Sequence, residues 1–443
     1  MQRQVDLDFD EGRYLKLLTN LIGETEHLQN NPPKFIPEED RAVKHVVDAL
    51  QPYTKQNGGL LTIEHVTYVE GRGNLIIEYD NDVGCSTTTQ KGTVSFIGSH
   101  LDVVPANPES WERDPFKLTI EGDNLYGRGT TDCLGHVAMI TEMLIQLAEK
   151  KPKLKRKIVA VFIAAEESSK IPGVGIDMLL KDGKLDHLKA GPVYWVDASD
   201  VHPCIGTSSA AIWALKCIGR LFHSGLPHKA INSVELAMDA VTHIQKNFYQ
   251  EYPPHPCEIV YKYEAPSTMK PTQIRTAEGS VNQIPPWAEA QGDIRLTPFY
   301  NIDECIQKVE GCVAKLNEDI NQLVSGDRGP CSKYEISLPE GDFKGELEIL
   351  WEGEVFRGIA CDLNSDGFKA LDEATKEVTG SSEPYSMTGS LPLVGEMQEA
   401  GFDIQICGYG YSSVYHSDNE YCTLSQMKIG MKVFNQILNK FNQ

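Results

Sequence analysis

Several short runs of the sequence place ionisable side chains where apolar segments stop. "FIGSHLDVVP" carries His100 and Asp102 with one residue between them, so on a strand or its extension both side chains point to one side. "LYGRGTTDCLGH" puts Asp132 in a glycine-rich turn just ahead of a helix. "VFIAAEESS" ends an apolar strand on the adjacent Glu166 and Glu167, "YWVDASD" ends another on Asp197 and Asp200, and "SSVYHSDNEY" supplies His416. Carboxylates and imidazoles gathered at strand ends would make a borderline-soft donor set suited to zinc. Each run alone has a plainer reading. H-x-D is commonly a polar strand end, paired glutamates a solvated helix face, Asp132 an N-cap, and His416 beside Asp418 surface charge. Their joint occurrence at strand ends is what favours a metal site. Gly127-x-Gly129 begins like a dinucleotide fingerprint, but Asp132 stands at its third glycine position and would repel a pyrophosphate.

These residues need elements to hold them. Helical spacing marks 12–29 and 39–50, the second preceded by Pro37 and the acidic Glu38-Glu39-Asp40. "NLIIEYD" (74–80) and "TVSFIGSH" (93–100) read as strands joined by the polar "NDVGCSTTTQKG". "HVAMITEMLIQLAEK" (136–150) reads as an amphipathic helix, and "RKIVAVFIAAEE" and "GPVYWVDASD" as further buried strands. Strands alternating with helices predict an α/β fold, with a mixed, mostly parallel sheet flanked by helices. In such sheets ligands collect at the carboxyl ends of the strands.

The rhythm changes near residue 208. "AAIWALKCIGRLFHS" reads as a long strand, followed by a helix at about 232–249, strands at "CEIVYKYEA" and "AEAQGDIRL", and a helix over "DECIQKVEGCVAKLNEDI". "YEISL" and "LEILWE" complete a β-α-β-β-α-β order, which predicts an inserted two-layer α+β module. The α/β rhythm resumes from "FKALDEATKEVTG" to "KIGMKVFNQILNKF". The expected organisation is therefore one domain built from 1–207 and 358–443, interrupted by a second at 208–357.

A chain of 443 residues is too long for one ordinary core, which agrees with two domains. The formal charge of -22 leaves no phosphate-neutralising surplus, so neither nucleic acid nor an anionic membrane is an expected partner. No apolar run approaches a bilayer span, and "MQRQVDLDFDEGRY" lacks the basic start and apolar stretch of a secretion signal. Eleven cysteines without a C-x-x-C pair suggest reduced thiols, and hence a cytoplasmic protein.

Taken together, "GSHLDVVP", "LYGRGTTDCLG", "AAEES" and "HSDNE" resemble the co-catalytic zinc family of aminoacylases, dipeptidases and carboxypeptidases, from about residue 90 to the C-terminus. "GRGTTDCLGH" and the spacing are most similar to the amino-acid deacetylases of that family, whereas "GSLP" resembles its dipeptidase branch. The resemblance implies two Zn2+ per subunit, with Co2+ as a substitute. His100 and Asp197 would hold one ion, Glu167 and His416 the other, and Asp132 would bridge both. Asp102 would hydrogen-bond the far nitrogen of His100, Glu166 would be the general base, and Asp200 would be a spare loop residue. The inserted module would be a lid that also forms a homodimer. His223 in "LFHSGLPHKAIN" would reach the neighbouring subunit's site and stabilise an oxyanion. Asn282 and Arg295 would hold the substrate carboxylate, and Gly389 and Ser390 of "MTGSLP" would line the pocket. Gly135-His136 departs from the family's glycine pair, so His136 either disturbs the pocket or caps the helix. The implied substrate is a small N-acyl amino acid, with a dipeptide as the alternative. Every acid and histidine this chemistry needs is present, which argues against a non-catalytic scaffold.

Overall fold

The computed structural model describes residues 5–81, 92–168 and 170–443, so most of the connection "NDVGCSTTTQKG" lies outside the described residues. The chain divides into two compact units, one of Met1–Ile205, Cys361–Tyr385 and Leu393–Gln443, the other of Gly206–Ala360 and Ser386–Pro392. The short segment Ser386–Pro392 departs from the expected run of 358–443. Its backbone pairs within the second unit, where Met387 N–H donates to the Gly206 carbonyl and Ser208 N–H to the Gly389 carbonyl.

Among the described residues the first unit contains an eight-stranded sheet. In spatial order its strands are Leu61–Val69, Arg72–Tyr79, Lys157–Ile163, Thr93–His100, Pro192–Val196, Asp403–Cys407, Cys204–Gly206 and Tyr385–Ser386. Thr93–His100 runs parallel to both Lys157–Ile163 and Pro192–Val196, and Pro192–Val196 parallel to Asp403–Cys407. Their carboxyl ends therefore emerge on one edge. The chain passes from Thr93–His100 to a neighbour on one side and then to Pro192–Val196 on the other. His100 thus stands at a topological switch point, where open α/β sheets form crevices.

The apolar strand sequences follow from burial on both faces. Every residue of Thr93–His100 is buried, and Phe96 packs against Tyr194 and Phe434 with ring centroids 5.6 and 4.5 Å away. The helix Leu134–Lys150 is buried all round from Leu134 to Ala148, more completely than an amphipathic reading expects. Its polar stripe survives burial because Glu142 accepts from Arg13 Nε and Nη2 at 3.0 and 2.9 Å and from Gln146 Nε2 at 2.8 Å. No helix among the described residues is long and apolar enough to cross a membrane.

The second unit is a four-stranded antiparallel sheet in the order Thr268–Thr276, Trp287–Leu296, Ser209–Ile218 and Glu346–Phe356. The helices Ser233–Glu251 and Ile302–Glu318 pack into its core through residues such as Leu236, Ile244, Val309 and Val313. The β-α-β-β-α-β order is present, but "CEIVYKYEA" is not its second strand. Pro256–Val260 is helical, with the His255 side chain accepting from Cys257 N–H and Pro256 in the first turn. The strand comes later, at Thr268–Thr276. As an exposed edge it lacks apolar alternation, and so gave no periodic signal.

Gly98 ties this framework to chemistry. The pairing register slips between Ile97 and His100, and Gly98 takes φ 92, so the strand bends just before His100. A Cβ at Gly98 would lie 2.6 Å from the Trp195 ring. Gly98→Ala should cost about 1–3 kcal/mol, through a left-handed backbone and overpacking. A thermal melt at unchanged midpoint would show that the bend does not need glycine.

Candidate metal centre

The sheet edge gathers the predicted acids and histidines of the first unit into one cluster. His100 Nε2 lies 3.0 Å from Asp132 Oδ1 and 3.5 Å from Asp197 Oδ1. His416 Nε2 lies 3.2 Å from both Asp132 Oδ2 and Glu167 Oε2. Asp132 thus turns one oxygen to each histidine. Glu166 stands apart, its Oε2 3.8 Å from His100 Nε2, beyond hydrogen-bond distance. Donor atoms of His100, Asp132 and Glu167 lie within 4.8 Å of one another, as do those of His100, Cys133 and Asp197.

Local backbone devices set these positions. Asp132 is not a cap, because the helix Leu134–Lys150 begins from Cys133 without a side-chain capping bond. Its turn is held by Glu420, which is completely buried. Glu420 Oε1 accepts from Thr131 N–H at 2.8 Å and Asp132 N–H at 3.0 Å, while Oε2 accepts from Gly129 N–H at 3.0 Å and Arg128 Nη1 at 2.7 Å. Only three residues separate Glu420 from His416, so one carboxylate links the Asp132 turn to the His416 loop. His416 has φ 54 and Asn419 φ 59, left-handed conformations that cost about 1–2 kcal/mol each for residues with a side chain.

Asp102 differs from its expected role. The bond from His100 Nδ1 goes to the Asp102 carbonyl oxygen at 2.9 Å, while the carboxylate lies 3.5 Å away. A carbonyl only accepts, so Nδ1 carries a proton and Nε2 faces Asp132 and Asp197. The Asp102 carboxylate instead accepts from the backbone N–H groups of Glu166 and Glu167 at 3.1 and 3.0 Å and from Asn30 Nδ2 at 2.7 Å. Glu166 and Glu167 lie beyond their strand, which ends at Ile163, and follow Ala165, left-handed at φ 59.

The other predicted residues have definite surroundings. His136 neither caps nor reaches the cluster; it is buried, accepts the Tyr409 N–H at Nε2 (2.7 Å), and burial pushes its pKa down to about 4. Asp200 is not spare, because its Oδ1 accepts the Ser412 N–H at 3.1 Å in the loop leading to His416. In the second unit, exposed His223 accepts the Gly225 N–H at Nδ1 (2.9 Å), which leaves its proton on Nε2. The Asn282 carbonyl accepts from Ser224 N–H, and Arg295 Nε donates to Asp293 at 2.7 Å. Gly389 and Ser390 are half-buried. Sequence reasoning did not single out Cys133, whose sulfur accepts the His100 N–H at 2.9 Å, nor Glu420, the last letter of "HSDNE".

The electrostatics favour added positive charge. Burial pushes Glu166 up, Glu167 up to about 7 and Asp197 up to about 6, each further raised by neighbouring Asp132. Hydrogen bonds to Asp132 and Glu167 raise His416 to about 10. Burial opposes charge on His100, yet Asp197, Asp102 and Asp132 outweigh it and raise that imidazole too. A field that draws protons onto both histidines also draws a dication. The donor spacings agree, because zinc bonds of 2.0–2.1 Å place tetrahedral ligands about 3.3 Å apart. The residues present fit metal ions.

Residues 96–440 match Peptidase family M20/M25/M40. The chain is 52% identical over 435 residues to the acetylornithine deacetylase of Arabidopsis thaliana, covering 98% of this chain and 96% of that protein. It is 50% identical over 438 residues to the acetylornithine deacetylase of Dictyostelium discoideum, covering 98% and 97%. Its fold is similar to that of the dipeptidase Dug1p from Saccharomyces cerevisiae, with a TM-score of 0.68 at 17% identity and coverage of 98% and 96%.

Glu420→Gln would place an amide NH2 against backbone donors that the carboxylate now satisfies. It should weaken metal binding about 10- to 100-fold, read by competition with a chromophoric chelator. Unaltered affinity would remove Glu420 from the support of the site.

Proposed function

Because the chain belongs to peptidase family M20/M25/M40, a family of metal-dependent hydrolases, we propose that it removes the acetyl group from N-acetylornithine, giving ornithine and acetate, as a step of arginine biosynthesis. Half-identity to two acetylornithine deacetylases along nearly the whole chain supports that substrate over a dipeptide. The reaction class rests on one observation. Asp132 and Glu167 point at histidine nitrogens, whereas neighbouring Glu166 shares the cluster without closing on either histidine.

In this reading His100 and Asp197 would hold one Zn2+, Glu167 and His416 the other, and Asp132 would serve both. Two bound ions supply Lewis acidity, which polarises the substrate carbonyl and makes water nucleophilic near neutral pH. The protein does the rest. The Asp102 carbonyl fixes the His100 tautomer, so that Nε2 is the coordinating nitrogen. Glu166, whose burial raises its proton affinity, takes the proton from the attacking water and returns it to the leaving amine. His223 would reach the neighbouring subunit's site and donate from Nε2 to the oxyanion, as its bond with Gly225 suits. Asn282 and Arg295 bind the substrate carboxylate, with Gly389 and Ser390 beside them. The exposed edge strand Thr268–Thr276 supports a homodimer formed through the inserted unit at 208–357. Ten described cysteines are free thiols, in keeping with a reducing, cytoplasmic setting.

On the zinc-loaded protein, kcat/KM for N-acetylornithine should exceed that for any simple dipeptide by about 100-fold or more. The reverse preference would assign the chain to dipeptide hydrolysis. Glu166→Gln should keep its metal and lose about 100- to 10,000-fold in kcat. Wild-type kcat in that variant would overturn the base assignment.

A further inference from the structure

The proposed division of labour requires Glu166 and Glu167, adjacent in sequence, to serve different partners. With the strand finished at Ile163, that separation must come from an irregular turn, and irregular turns wander unless something holds them. Four consecutive N–H groups in this turn are captured by side-chain oxygens. Ala164 donates to Asn74 Oδ1 at 2.9 Å, Ala165 to Glu39 Oε1 at 3.2 Å, and Glu166 and Glu167 to the two oxygens of Asp102. Asn74 is itself fixed by donating to the Val174 carbonyl at 2.9 Å.

Glu39 is the unexpected member. It lies far back in the sequence, at the start of the helix Asp40–Leu50, and is completely buried. Its carboxylate is gripped by the fork of Arg72, 2% exposed, with Nε 2.9 Å from Oε2 and Nη2 2.5 Å from Oε1. A buried ion pair is weak evidence for stability, because an apolar pair of similar volume commonly serves as well. What the fork does provide is orientation: two parallel bonds hold the carboxylate in one plane. In that plane Oε1 meets the N–H of Ala165, the residue whose left-handed backbone turns the chain into Glu166.

We infer that Glu39, oriented by Arg72, is a positioning residue for the reaction. It holds Ala165 in its left-handed conformation and so sets the aim of Glu166, without touching substrate or metal. The inference rests on the reading of Glu166 as the base.

Two kinds of variant test it in the full-length, metal-loaded protein. Glu39→Asp keeps a charge for Arg72 but draws the oxygen back from Ala165. The double variant Glu39→Leu with Arg72→Met removes the oxygen and leaves no unpaired buried cation, and its counterpart Glu39→Gln with Arg72→Met restores a side-chain carbonyl oxygen. Glu39→Asp and the Leu/Met pair should lose about 10- to 100-fold in kcat while KM and metal content stay near wild type. The Gln/Met pair, which returns the oxygen without the Arg72 fork, should recover part of that loss. Amide exchange across 164–168, measured on the metal-free proteins, should quicken in the Leu/Met pair and return towards wild type in the Gln/Met pair. Wild-type kcat and exchange in both Glu39→Asp and the Leu/Met pair would overturn the positioning role. Glu166→Gln, assayed alongside, separates the two claims. If it is inactive while the Glu39 variants behave as wild type, only the positioning role falls; if it is fully active, the base assignment falls and takes the positioning role with it.

Discussion

Carboxylates crowd together at the carboxyl ends of parallel strands, and the rest of the first unit is arranged around the cost of keeping them there. Asp132, Glu166, Glu167 and Asp197 meet where water is largely excluded, with side-chain exposures of 13, 11, 3 and 5%. Burial and mutual repulsion resist their ionisation, and nearby positive charge offsets both effects. The two histidines supply part of it. The donor spacings suit metal ions for the remainder, and this is how a sheet edge that is costly to assemble becomes a place for hydrolysis.

Holding such a cluster falls to backbone contacts rather than to direct bonds between the functional side chains. Glu420 grips the Asp132 turn through three backbone N–H groups and stays linked by a few residues to His416. Asp102 grips the glutamate turn through two more, while its own carbonyl orients His100. Each of these acids exchanges water for several fixed donors, so its burial is compensated. Loops held in this way can keep left-handed residues such as Ala165 and His416, which regular strands would not tolerate.

Much of this was legible in the sequence because the signal was periodic. Apolar strands that end on acids marked the sheet edge, and that edge brings His100, Asp132, Glu166, Glu167, Asp197 and His416 together. Where the structure differs from the sequence pattern, the cause is tertiary context. "CEIVYKYEA" has strand composition, but His255 and Pro256 start a short helix there, while the real edge strand faces solvent and carries no alternation. Asp102 stands out in the sequence, yet residue types alone do not show that its carbonyl and its carboxylate serve different partners. Glu39, Asn74 and Glu420 act through backbone N–H groups far along the chain, and a contact with backbone leaves no pattern in residue types. His136 illustrates the reverse: a departure in the motif proved to be a buried acceptor for Tyr409.

We propose that this edge takes two cations that share Asp132. The most direct test is a calorimetric titration of the metal-free protein with Zn2+. Two equivalents should bind per chain, with protons released as the imidazoles and raised carboxylates give way to metal. Binding of one equivalent or none, or binding without proton release, would contradict it.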